Sequence, residues 1–176
     1  MKAMRPTITG ATLCLLLGAT PALADCATIA AAMTAVERTA GVRQILHAGT
    51  ADGGTVIGET LKFPDALYMR QGATKWVRLP LDAAKRLETA ETMMKAMPLS
   101  DCAGPRDVAD AGIGYRAYDY AQPNPLKGVA KSRSSIWLDG EGRIARLVLE
   151  DGSRQIFEYG VKDPPPVETP RPGKTK

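Results

Sequence analysis

The feature that most constrains this chain is a repeated switch into a period of two, punctuated by glycine turns. Val42, Gln44, Leu46 and Ala48 alternate with Arg43, Ile45 and His47, and the turn Ala51-Asp52-Gly53-Gly54 leads into a returning run from Thr55 to Phe63. Alternation of this kind sends successive side chains to opposite faces of a strand, and a short glycine turn brings the chain back beside itself. The pattern recurs at Ala66 to Gln71 and Lys75 to Leu79, around Gly72-Ala73-Thr74. It closes the chain as a meander of Lys131 to Leu138, Arg143 to Glu150 and Ser153 to Tyr159, with turns at Asp139-Gly140-Glu141-Gly142 and Asp151-Gly152. Ile113 to Ala121 adds a Tyr-rich strand, and Gln122-Pro123-Asn124-Pro125 begins a connection to Ala130. Ser100 to Gly112 reads as a polar loop.

Only two segments carry the helical period. In residues 27 to 40, Ile29, Met33, Val36 and Ala40 fall on one face, with Asp25 placed to cap the start and Gly41 to stop the end. Leu81 to Met97, opened by Pro80 and closed by Pro98, aligns Leu87, Ala90, Met94 and Met97. Strands and helices do not alternate as βαβ units, so the sheet must be antiparallel with helices on one side. The predicted fold class is α+β: a strongly curved antiparallel sheet, an incomplete barrel of about eight strands, covered by two helices. All nine aromatic residues lie on or beside strand candidates and none on a helix. The expected picture is an aromatic-bearing sheet under small and flexible helical side chains.

The 176 residues divide into three parts on this reading. Residues 1–24 read as a signal peptide, with Lys2 and Arg5 before the apolar run Ile8 to Leu17 and the small-x-small site Ala22-Leu23-Ala24. The run is about ten residues, half of the ~20 a membrane helix needs, so no integral membrane protein is expected. Residues 25–162 form a single sheet-plus-helix domain, and 163–176 a disordered Pro-rich tail that cannot bury apolar surface. Lipidation at Cys26 would need a small residue before it, and Asp25 is charged. Of 23 basic residues Lys2 and Arg5 leave with the leader, so 21 remain against 19 acidic ones. That net charge of +2 argues against nucleic acid as a partner. Cys14 also leaves, and the remaining pair, Cys26 and Cys102, reads as one disulfide of an exported chain, with a long loop whose closure is worth about 4 kcal/mol.

Enzyme signatures are absent from the sequence: it holds no Gly-x-Ser-x-Gly, no Walker loop, no His-Glu-x-x-His and no dinucleotide fingerprint. His47 is the one histidine, which excludes a multi-histidine metal site, and on an alternating strand it reads as a surface or satisfied side chain. Asp101, Asp107 and Asp110 share one segment without the calcium-loop pattern. No metal and no cofactor is expected. Met93, Met94 and Met97 stand out, because methionine is unbranched and polarizable and suits a surface that repacks around apolar guests.

Two stretches carry a family resemblance. Gly58-Glu59-Thr60-Leu61-Lys62-Phe63-Pro64-Asp65-Ala66-Leu67-Tyr68-Met69-Arg70 with Lys75-Trp76-Val77-Arg78-Leu79-Pro80, and Ile136-Trp137-Leu138-Asp139-Gly140-Glu141-Gly142-Arg143-Ile144-Ala145-Arg146-Leu147, resemble periplasmic proteins of the lipoprotein-carrier (Lol-like) fold. The resemblance extends in element order over most of residues 25–162: helix, hairpins, internal helix, closing meander. It implies an incomplete antiparallel barrel closed by helices around an apolar cavity that binds acyl chains. The chain departs from the family in its first strand, where Leu46-His47-Ala48 stands in place of an aromatic-rich segment.

The reading is therefore a non-catalytic periplasmic or secreted binding protein for a lipid or other apolar ligand, with Trp76, Met94, Met97 and Trp137 lining the groove. The alternatives are a cell-envelope structural or protein-interaction module with a dry core and an envelope protein as partner, and an unrecognised hydrolase. The exported protein is expected to begin at Asp25 by N-terminal sequencing. Alkylation without reduction should label neither Cys26 nor Cys102, and labelling of either thiol would overturn the disulfide.

Overall fold

The runs of period two make one unclosed, curved antiparallel sheet of nine strands, with the second helix carrying the chain from one edge strand to the other. The computed structural model describes residues 21–49, 54–124 and 129–167. Residues 1–20, which hold most of the expected signal peptide, and residues 50–53, 125–128 and 168–176 lie outside the described residues. Helix α1 (Pro21–Arg38) precedes β1 (Val42–Ala48), β2 (Thr55–Lys62), β3 (Leu67–Arg70) and β4 (Val77–Leu79). Helix α2 (Ala83–Ala96) follows, then β5 (Ser100–Asp110), β6 (Ile113–Asn124), β7 (Val129–Leu138), β8 (Ile144–Leu149) and β9 (Arg154–Tyr159). The spatial order is β4-β3-β2-β1-β9-β8-β7-β6-β5. The N-terminal hairpins and the C-terminal meander therefore meet where β1 pairs with β9, from Val42 opposite Tyr159 to His47 opposite Arg154.

The ninth strand is β5, which replaces the polar loop expected at Ser100–Gly112. It pairs with β6 through a two-residue turn, Ala111-Gly112, in which both residues have positive φ (48° and 80°), as a type I′ hairpin requires. As an edge strand β5 buries Cys102 alone, so no apolar alternation betrays it. Its register also shifts twice, on either side of Ala103.

Helix α1 starts earlier than the periodicity suggests, and Asp25 lies inside it rather than at its cap. Its buried stripe is Ile29, Ala32 and Val36, set on Tyr118, Tyr120, Ile136, Leu138 and Ile144 of the sheet. Gly41 ends the turn into β1 with φ 68°, and a Cβ there would come within 2.3 Å of the Val161 carbonyl oxygen. Its N–H donates to Lys62 O (2.8 Å) and its carbonyl accepts from Val161 N (2.9 Å), so one glycine ties both halves of the chain. Helix α2 begins at Ala83 because Asp82 caps it, its carboxylate accepting from Lys85 N at 2.8 Å. On the face away from the helices a smaller apolar cluster forms from Leu61, Phe63, Ala66 and Tyr68, with Trp76 and Val161 against it.

Cys26 of α1 and Cys102 of β5 are joined, with Cα atoms 5.3 Å apart across a sequence separation of 76. The bond fastens the first helix to the far edge of the sheet. Replacing both cysteines by alanine should lower the unfolding free energy by about 2–5 kcal/mol in urea melts. An unchanged midpoint would show that α1 packing alone holds that edge.

Candidate functional site

Helix α1 lies across the covered face of the sheet and leaves a hollow on each side. The larger, about 640 Å³, lies between its small residues Thr28, Ala31 and Ala35 and the β5–β6 hairpin, with Asp107, Arg116 and Asp139 on its walls. The second, about 220 Å³, lies between α1, α2 and the sheet. Its helical walls are Met33 and Val36 from α1 and Ala90, Met93 and Met94 from α2, and its floor is Ile136, Ile144, Leu147 and Phe157. Glu37, Gln44, Lys62 and Gln155 bring polar atoms to it. Long apolar walls with a few convergent polar groups are the usual make-up of a small-molecule site, and the second hollow fits that description better.

The polar end of this groove is built on buried charge. Lys62 lies at the end of β2 with its side chain only 7% exposed, and its ammonium donates to the Glu37 carboxylate. Burial pulls the Lys62 pKa below its ordinary value, by more than the Glu37 charge and hydrogen bond restore. Arg86 of α2 is buried next to the same carboxylate, with Nε 3.6 Å from Glu37 Oε2. Its Nη1 donates to Phe63 O (2.9 Å) and Leu81 O (2.8 Å), and its Nη2 to Glu37 O (3.4 Å). Arg86 is the one fully buried residue of α2, and with Ala83 N donating to Pro64 O (2.9 Å) it pins the start of the helix. The end is tied by Gln122 Nε2, which donates to Met97 O at 3.2 Å.

The sequence-predicted lining residues fall in different places. Met94 lines the groove beside Met93. Met97 is the C-cap of α2, half-buried, its N–H donating to Met93 O. Trp137 lies between Ile136 and Leu138 on β7 and so points to the opposite face, where Tyr115 packs against it and the Arg146 guanidinium sits 4.8 Å from its ring. Trp76 is also on that face, 4.7 Å from the Arg70 guanidinium, and with Lys75, Pro166 and Val167 it borders a shallow hollow. The structure thus brings Met93 and Met94 to one site and leaves both tryptophans across the sheet from it.

Other singled-out residues have local partners. His47 Nδ1 donates to Gly54 O at 2.8 Å. Asp101 pairs with Lys131 and Asp110 with Arg146, while Asp107 borders the larger hollow, so the three carboxylates do not converge. Among the described residues no three His, Cys, Asp or Glu side chains form a metal-holding group. Across the sheet from the groove, Glu59 is buried between Arg43 and Arg70. Burial pushes its carboxyl up, but hydrogen bonds from the two arginines, helped by their charge, hold it below the usual carboxylate value.

The residues that the sequence reading missed are Lys62, Glu37, Gln44 and Arg86. Each is polar in a segment with polar residues on both faces, where charge reads as solvated surface. Replacing Arg86 by methionine should cost about 3–5 kcal/mol, because it leaves the Phe63 and Leu81 carbonyls and the Glu37 carboxylate short of a buried donor. Hydrogen exchange should then quicken across α2 before β7. Equal protection of α2 in variant and wild type would show that Arg86 is not its anchor.

Among the described residues no helix is long and apolar enough to cross a membrane. No protein-family model matches the chain, and no curated protein matches it. Among solved structures it is similar to lipoprotein LppX of Mycobacterium tuberculosis, with TM-score 0.46 and 13% identity over 83% of this chain and 99% of that one. It is also similar to LprF from Mycobacterium bovis, with TM-score 0.47 and 10% identity over 86% of this chain and 98% of that one.

Proposed function

We propose that this protein is a non-catalytic binding or carrier protein of the periplasm or cell exterior, which holds a lipid or other apolar ligand between the sheet and α2. The observation that carries this reading is the wall formed by Met93 and Met94. These adaptable side chains face an apolar floor from a helix pinned near its two ends, and Met93 is still 51% exposed. A space of about 220 Å³ is below the ~300–1,000 Å³ of ordinary ligand pockets, so entry of an acyl chain requires the middle of α2 to lift. Between its pins α2 buries no side chain completely, so lifting it exposes little apolar surface. The disulfide supports an oxidising compartment, in keeping with the expected leader.

A second reading, a protein-interaction module, is favoured by a different observation. Met69, Val77 and Leu79 are 42%, 56% and 38% exposed on β3 and the edge strand β4. An exposed apolar row beside an unpaired strand edge suits an added strand from an envelope protein.

Native mass spectrometry of protein purified from the periplasm should show retained lipid mass on the carrier reading. Titration with a fluorescent fatty acid should saturate. Replacing Met93 and Met94 together by alanine should weaken that probe about tenfold and lower stability by only about 1–3 kcal/mol. A loss of about 4–8 kcal/mol, with no probe bound by the wild type, is the outcome for close-packed methionines and would favour the interaction module instead.

A further inference from the structure

We propose that the groove takes an anionic single-chain amphiphile, with its acid head at Lys62 and its chain lying across the sheet toward Ile136; this rests on the carrier reading above. The first observation is a gradient of polarity along the groove. Five adjacent strands contribute to it in the order β2, β1, β9, β8, β7. Lys62 stands on β2 and Gln44 on β1, Gln155 and Phe157 share β9, and Leu147, Ile144 and Ile136 follow on β8 and β7. Four strand spacings of about 4.8 Å give a path of about 19 Å from the charged end to the hydrocarbon end. A ligand that matches this surface has one polar end and one long apolar body.

The second observation fixes the sign of the head. Lys62 and Arg86 are both more than nine-tenths buried, and among the described residues the carboxylate paired with them is that of Glu37. The cluster therefore holds one positive charge more than it neutralises, in a place shielded from water. The guanidinium of Arg86 is directed to the carbonyls of Phe63 and Leu81 and to Glu37. The ammonium of Lys62 has three donor hydrogens and donates to Glu37, and Lys62 is among the residues that border the groove. Gln44 and Gln155, hydrogen-bonded to each other, supply further polar atoms beside it. A cationic head would meet like charge there, and a neutral one would leave the excess uncompensated. An anionic head supplies both the acceptor atoms and the missing charge, and charge-assisted hydrogen bonds are the strongest available to it. The lowered Lys62 pKa agrees, since an anion at this position would restore the charged form that burial disfavours.

The test uses the full exported chain and displacement of N-phenyl-1-naphthylamine, a neutral fluorescent probe, by four twelve-carbon competitors: dodecanoate, dodecyl phosphate, dodecanol and dodecylamine. The anions should displace the probe at concentrations at least about tenfold below those of dodecanol and dodecylamine. The order of dodecanoate and dodecyl phosphate identifies a fatty-acid or a phosphate head. Lys62→Gln should bring the dodecanoate-to-dodecanol ratio to within about threefold, and Lys62→Arg should keep the preference, which separates loss of charge from loss of fold. Equal displacement by all four compounds would overturn the anionic head and leave the carrier reading standing. A preference that survives Lys62→Gln would overturn the assignment to Lys62. Failure of the probe and every competitor to bind would remove the carrier reading, and this inference with it.

Discussion

The pairing of β1 with β9 is the contact on which the rest of the architecture depends. It joins residues from near the start of the described chain to residues from near its end, and it lies between the N-terminal hairpins and the C-terminal meander. Without it the chain would form two smaller sheets. With it, Gln44 and Phe157 become neighbours, and the groove floor becomes continuous from Lys62 to Ile136. Gly41 reinforces the same seam, because only a residue without a side chain lets Val161 approach so closely.

Buried charge plays a different part. A buried ion pair is weak evidence of net stability, since desolvation offsets most of its attraction. Arg86, Glu37 and Lys62 are better understood as fixing position: both cations share Glu37, so its removal would leave two buried positive charges without a partner. They hold α2 at one end by directional bonds while its apolar middle stays lightly packed. That combination makes the helix a located cover rather than a part of the core, which is continuous between α1 and the sheet. The arginine-clamped Glu59 gives the same kind of directional hold to β1, β2 and β3 on the opposite face.

The strands, the two helices and the disulfide were legible because each is announced locally. Period two with glycine turns marked eight of the nine strands, and the element order read along the sequence, helix, hairpins, internal helix and closing meander, is the order observed. Strand β5 escaped because an edge strand exposed on both faces needs no apolar alternation. The start of α1 escaped because Pro21 to Cys26 carries no period that separates a helix from a leader. Of the groove, only the methionines on α2 gave a signal. Trp76 and Trp137 were equally conspicuous, yet strand register turns their rings to the other face.

What the sequence determined by itself was the set of reversals, the cysteine pair and the antiparallel class, all of which depend on neighbours along the chain or on a count of residues. Which strands meet across the seam, which face each aromatic takes and which charges are buried together were decided only by the tertiary structure. A charged residue is expensive to bury alone, and Lys62 and Arg86 are tolerable only because folding brings Glu37 to both. That partnership spans α1, β2 and α2, and no local pattern in the chain encodes it.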